Sequence, residues 1–184
     1  MTNPQAAVTP AEIVAFWRDA GPDKWFKKDE NFDAELRTRF LAAHEAAAAG
    51  KLDGWEATAE GALALLLLLD QFSRNMFRND AHAFAADEKA RGIAARALTR
   101  GFDAAIPGMR SFFFLPFEHS EDMADQELAM RLFAAAGDDD GLKWAKLHAD
   151  IIRRFGRFPH RNKALGRATT PEEQAFLDEG GFAG

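Results

Sequence analysis

Apolar residues recur along this chain at helical spacing, and nowhere is the strict alternation of a strand sustained. Thr9, Pro10 and Glu12 set a hydroxyl, a proline and a glutamate where a capping box needs them, so a helix starts there. It carries Val14, Phe16 and Trp17 and stops at Gly21-Pro22. Phe32, Leu36, Phe40 and His44 recur every four residues and predict a second helix that ends at Gly50. From Trp55 to about Phe77 the chain is apolar on nearly every side, which predicts a helix buried in the middle of a bundle.

A fourth helix is expected after Asn79-Asp80, through Phe84 and Ile93 to Gly101. Pro107 and Pro116 bracket Met109–Leu115, read as helical turns. A helix capped by Ser120 carries Met123, Met130 and Phe133 to Gly137. Next, Trp144, Leu147, His148, Ile151, Ile152 and Phe155 form one unbroken apolar face that stops at Gly156. Thr170-Pro171-Glu172-Glu173 repeats the opening cap and starts a last short helix through Phe176 and Leu177. The prediction is an all-α fold of about eight helices, either an irregular bundle or stacked helical hairpins. No repeat of the ~34-residue kind can be laid over it.

The 184 residues suit a single domain, 1–184. Without cysteine, disulfides, thiolate metal sites and a cysteine nucleophile are excluded, and a reducing cytoplasm is the expected location. Met1 to Val14 lacks the pattern of a secretory leader. The longest apolar run, Ala62–Leu69, falls far short of the ~20 residues that cross a membrane. A net charge of −6 disfavours general attraction to nucleic acid or to an anionic membrane. Against that background Arg153, Arg154, Arg157, Arg161, Lys163 and Arg167 follow one another with no acid between them.

Three polar clusters interrupt the apolar pattern. In the first, Asp70, Gln71, Arg74, Asn75 and Arg78 continue the most apolar helix, and fourfold spacing sets Asp70, Arg74 and Arg78 on one face. Asp70 then either orients Arg74 or forms with it a solvated ion pair worth ~0.3–0.5 kcal/mol. In the second, Glu118, His119 and Glu121 stand around a helix start, where acids also oppose the dipole. With His148 they are ligand types for zinc, iron or manganese. No H-E-x-x-H or E-x-x-H spacing supports a metal site, so none is assigned and any cofactor stays open. His148 is either a core histidine or, beside a carboxylate that fixes its tautomer and raises its pKa, a general base.

The third cluster is the basic block, Arg154, Arg157, His160, Arg161, Asn162 and Arg167. Its guanidiniums suit a phosphate or a carboxylate, or else they neutralise the acids around Glu118 and Asp138–Asp140. Phe155 and Phe158 within it could stack bases, which the acidity of the chain argues against. Tyrosine is absent, the serines are Ser73, Ser111 and Ser120 with no nucleophile elbow, and no dinucleotide or P-loop signature occurs.

Leu69–Arg78, Leu115–Glu121 and Arg154–Asn162 with Leu165-Gly166-Arg167, together with the stretch from Trp55, resemble the signature blocks of the bacterial family called domain of unknown function 924. Ser73 departs from the proline expected there. The resemblance implies an all-α fold related to tetratricopeptide repeats, and no activity.

Three functions follow. In the first, an anionic small molecule is held by Arg74, Arg78, Arg157 and Arg161, with Glu118 and His119 completing the pocket. In the second, an enzyme uses the same pocket, with His119 or His148 as base. In the third, a helical-repeat module binds a protein partner and the polar blocks lock its helices together.

Overall fold

The capping box at Thr9 forms as the sequence requires. Glu12 N donates to Thr9 Oγ1 at 3.3 Å, and Thr9 N donates to the Glu12 carboxylate at 2.7 Å. In a computed structural model that describes residues 8–182, this box opens α1 (Pro10–Ala20), which buries Ile13, Val14 and Trp17. The reading of Met1 to Val14 as lacking the pattern of a leader falls by half on residues outside those described. After a single turn, α2 (Pro22–Trp25), Asp29 caps α3 (Glu30–Ala48), and Phe32, Leu36, Phe40 and His44 turn inward together.

The central apolar segment is helical but not uniform. Trp55 stays outside it, in a 3-10 turn, Asp53–Ala57, and Thr58 caps α4 (Ala59–Leu66). The helix then widens to a π-helix over Leu67–Phe72 and closes again as α5 (Ser73–Met76). Wide turns of this kind are uncommon and occur frequently at functional sites. Every residue from Gly61 to Ser73 is buried, Asp70 and Gln71 included.

A 3-10 turn, Ala81–Ala83, replaces the start expected for the fourth helix. α6 (Asp87–Thr99) begins after Phe84 instead of containing it. The aromatic segment between the prolines is helical, as a 3-10 turn, Arg110–Phe113, followed by α7 (Leu115–Glu118). Ser120 does not cap the next helix: α8 (Met123–Ala136) is capped by Asp122, and Ser120 Oγ accepts from Asp122 N at 3.2 Å. α8 and α9 (Asp139–Phe155) pack as a hairpin around left-handed Gly137, and α10 (Pro171–Asp178) follows the second capping box.

Every regular element among the described residues is helical, so the fold is all-α. None of these helices is long and apolar enough to cross a membrane. The main core gathers α1, α3 and the central segment, where Phe72 meets Phe40 and Trp17 at ring distances of 5.1 and 5.2 Å. A smaller core of Ile151, Ile152 and Phe158 is closed by Met123, Phe155, Phe176 and Phe182.

Candidate functional site

The π-helical turn carries Asp70 into the interior, its side chain 2% exposed, so the solvated-pair reading is overturned. Its carboxylate accepts from Gln71 Nε2 at 2.7 Å and from His119 Nδ1 at 2.8 and 3.0 Å, and Arg74 Nη1 stands 3.0 Å away. Arg74 also grips Asp87 through two hydrogen bonds of 3.0 Å. Burial alone would raise the Asp70 carboxyl. Arg74, His119 and the hydrogen bonds outweigh it and hold Asp70 below the usual carboxylate range.

Arg78 does not continue this face. The chain leaves helical geometry at Phe77, and Arg78 turns to Asp33 on α3, which it meets at 2.5 Å, while Asn75 meets the same carboxylate at 2.8 Å. Arg78 and Asn75 therefore fasten the central segment to α3 and stand apart from His119.

His119 follows the last residue of α7. Because Nδ1–H donates its hydrogen bond to the Asp70 carboxylate, the neutral ring presents a lone pair at Nε2, which makes no hydrogen bond with any described residue. The side chain is 17% exposed. Burial lowers its pKa, and Arg74 adds to that, against the opposing pull of Asp70.

Beside it, Glu118 Oε1 lies 3.1 Å from His148 Nδ1, which also donates to the carbonyl of Trp144 at 2.9 Å. Here a carboxylate and a histidine meet, but the expected rise in histidine pKa is reversed. Burial keeps His148 down at about 4 and pushes Glu118 up to about 8, with Asp70 and Asp138 adding to the latter. Burial thus favours the neutral form of both groups. His160 is likewise pushed down to about 3 by burial and by Arg161. The His119 and His148 rings stand 6.5 Å apart, and Phe158 lies 5.4 Å from His148 and 5.6 Å from His160.

The basic block does not act as one receptor. Arg157 is bonded to Glu173 at 2.6 and 2.8 Å, Arg154 to Glu172 at 3.1 Å, and Arg167 to Glu121 at 2.7 and 2.9 Å and to buried Asn162 at 3.0 Å. These acids, and not Glu118 or Asp138–Asp140, are the ones the block neutralises. Phe158 is fully buried, and Phe155 packs on Phe176 at 5.2 Å, so neither is free to stack a base.

Arg161 is different. It is 6% exposed and held between the rings of Phe158 and Phe84 at 4.5 and 4.6 Å. One nitrogen donates to the carbonyl of His119 at 2.9 Å, and its ion contact is a distant one, 3.5 Å to the Asp87 that Arg74 already occupies. Its Nε, the Glu118 Oε2 and the His160 Nδ1 are buried without a partner among the described residues. A buried polar atom left unpaired costs roughly 1–3 kcal/mol, so three on neighbouring side chains mark a place where a fold has kept polarity it does not itself satisfy. Burial, reinforced by Arg74, drops the Arg161 pKa to about 10.

The site therefore joins one part of each sequence cluster: Asp70, Gln71 and Arg74 from the first, Glu118, His119 and His148 from the second, His160 and Arg161 from the third. Among the described residues no three or more His, Asp or Glu side chains are arranged to hold a metal ion. Sequence reasoning missed Asp87, Phe84 and Phe182. Nothing local marks them, because Asp87 reads as an ordinary first-turn acid and the two phenylalanines as packing. A groove lies next to this cluster, not in it. It measures about 750 Å³, runs between α9 and the C-terminal segment, and leaves Leu147 39% exposed; Trp144 on the same helix is 50% exposed. The apolar face of α9 is thus covered only in part, since α10 is short.

Comparison with known proteins agrees with the fold. A family profile described as bacterial protein of unknown function (DUF924) matches residues 13–181. The structure of a protein of unknown function from Agrobacterium tumefaciens is similar, with 53% identity over 92% of this chain and 97% of that one, and a TM-score of 0.89. No match arises among curated proteins. With 13–181 matched, the chain belongs to the bacterial family of unknown function DUF924.

Proposed function

We propose that the protein binds a small molecule carrying an oxyanion, a carboxylate or a phosphate, and that His119 exchanges a proton with it. The observation that carries this reading is Arg161, a buried guanidinium with no carboxylate of its own and an unpartnered Nε. An oxyanion seated against Arg161 would supply the charge and the acceptors the fold withholds, and planar guanidinium donors suit it. His119 is the group able to act on such a ligand. Its Nε2 lone pair is free, Asp70 fixes the tautomer, and an imidazolium formed by taking a proton from the ligand would be held by the same carboxylate until the proton is returned. Arg74 and neutral Glu118 flank the position. The cysteine-free composition fits the cytoplasm as its place of work.

A thermal-shift screen of the purified chain against phosphate, acetate, citrate and chloride tests this, because a ligand that prefers the folded state raises the melting temperature by mass action. The reading requires a shift from an oxyanion that chloride does not give and that Arg161→Met abolishes. Equal responses to all four salts would refute it.

A further inference from the structure

Phe182 belongs to two places at once. Its ring lies 4.5 Å from His148 and 5.2 Å from His160, and it also lines the groove beside α9. Two glycines carry it there. Gly180 takes a φ of +83°, and Gly181 runs so close to Phe176 that a Cβ would stand 2.5 Å from its carbonyl oxygen. Phe182 therefore stands between the edge of the polar cluster and the groove, on a segment tied to the end of α10 by Gly180 N and Gly181 N, which donate to the carbonyls of Leu177 and Phe176 at 3.2 and 2.9 Å. The groove is lined by Leu142, Leu147, Ile151, Phe155 and Phe176 together with five charged side chains, and its 750 Å³ falls in the range of sites that take small organic ligands.

Resting on the reading of Arg161 as the oxyanion anchor, we propose that the ligand is an amphiphilic carboxylate whose apolar tail lies in this groove, with Phe182 displaced to join the two. The contacts of Arg161 with Phe158, of Phe158 with His148 and of His148 with Phe182 set the head site and the groove at the two ends of one aromatic cluster. It also accounts for the part of the α9 face that the chain leaves bare.

Isothermal titration of the full chain with acetate, hexanoate and decanoate, below micellar concentration, tests the proposal. Each methylene buried is worth about 0.8 kcal/mol, so Kd should fall about fourfold per methylene along the buried stretch. Leu147→Glu, a change at a partly exposed position that leaves the core intact, should flatten the series. Decyltrimethylammonium, with the same tail and the opposite charge, should not bind. Acetate and decanoate binding alike, and both lost in Arg161→Met, would overturn the tail while leaving the oxyanion site standing. Decanoate binding that ignores Arg161→Met would separate head from tail and overturn the proposal equally. If no carboxylate of any length binds while phosphate still raises the melting temperature, this inference falls and the reading beneath it stands; if phosphate fails as well, both fall.

Discussion

His119 Nδ1 lies 2.8 Å from the carboxylate of Asp70, a residue forty-nine positions away that a π-helical turn holds inside the main core. The distance joins the most buried helix to the end of α7, and it decides which nitrogen of His119 is left to meet a ligand. Asp70 also sits against Arg74 and Gln71, so its loss would take a carboxylate from three donors. Removing one partner of a buried ion pair generally costs about 3–5 kcal/mol. Asp70→Asn should therefore lower the unfolding free energy by about 3 kcal/mol or more, read by urea denaturation, with a loss below about 1 kcal/mol contradicting the role given to Asp70.

Glu118 predicts a pH dependence of definite sign. Its folded pKa of about 8 lies above the unfolded value near 4.3, so the folded chain holds a proton that the unfolded chain has released. Its contribution is fully present below about pH 4 and is lost as pH rises toward 8, at up to about 1.4 kcal/mol per pH unit. His148 and His160, with folded values of about 4 and 3, act in the opposite sense and remove stability as pH falls below about 6.5. Among these groups, stability should peak near pH 6.5 and decline by roughly 1 kcal/mol toward pH 8. Glu118→Gln should abolish the alkaline decline, which melting curves between pH 6.5 and 8.5 would reveal. An unchanged decline would rule out a neutral Glu118.

Surface and buried arginines of the basic block should separate cleanly. Arg153 pairs with Asp150 at an exposed position, its side chain 58% exposed, and Arg153→Ala should change stability by less than about 0.5 kcal/mol. Arg167 makes two bonds to Glu121 and one to Asn162, so Arg167→Met should cost about 1–3 kcal/mol, leaving three polar partners without it. Similar losses for both, by chemical denaturation, would contradict this division.

Gly61 should tolerate no side chain. A Cβ there would stand 2.0 Å from the carbonyl oxygen of Trp55, a backbone atom that cannot step aside. Gly61→Ala, which in an exposed helix would add up to about 1 kcal/mol, should here lower the melting temperature by several degrees.

Most of the helical framework was legible because its signals are local. The capping boxes at Thr9 and Thr170, the fourfold stripe from Phe32 and the stop at Gly156 depend on residues within a turn or two of each other. The site was legible only in its parts. Asp70, His119 and Arg161 each stood out in a cluster, but their meeting depends on packing between distant elements, and so does the choice of Glu121, not an incoming anion, as partner for Arg167. Arg78 was misplaced for a local reason, since the helix ends just before it. The histidine pKa values followed burial instead of the neighbouring carboxylate, which spacing cannot foretell.

The central claim is that Asp70 leaves His119 with a free Nε2 lone pair facing a position that an oxyanion bound at Arg161 would occupy. Nitrogen-15 NMR of the histidine side chains, during titration with phosphate and with acetate, tests it most directly. The account predicts His119 as the Nδ1-protonated neutral tautomer at pH 7, with its Nε2 resonance moving on titration in the native chain and not in Arg161→Met. A His119 protonated at Nε2, or an Nε2 resonance that no oxyanion moves, would contradict it.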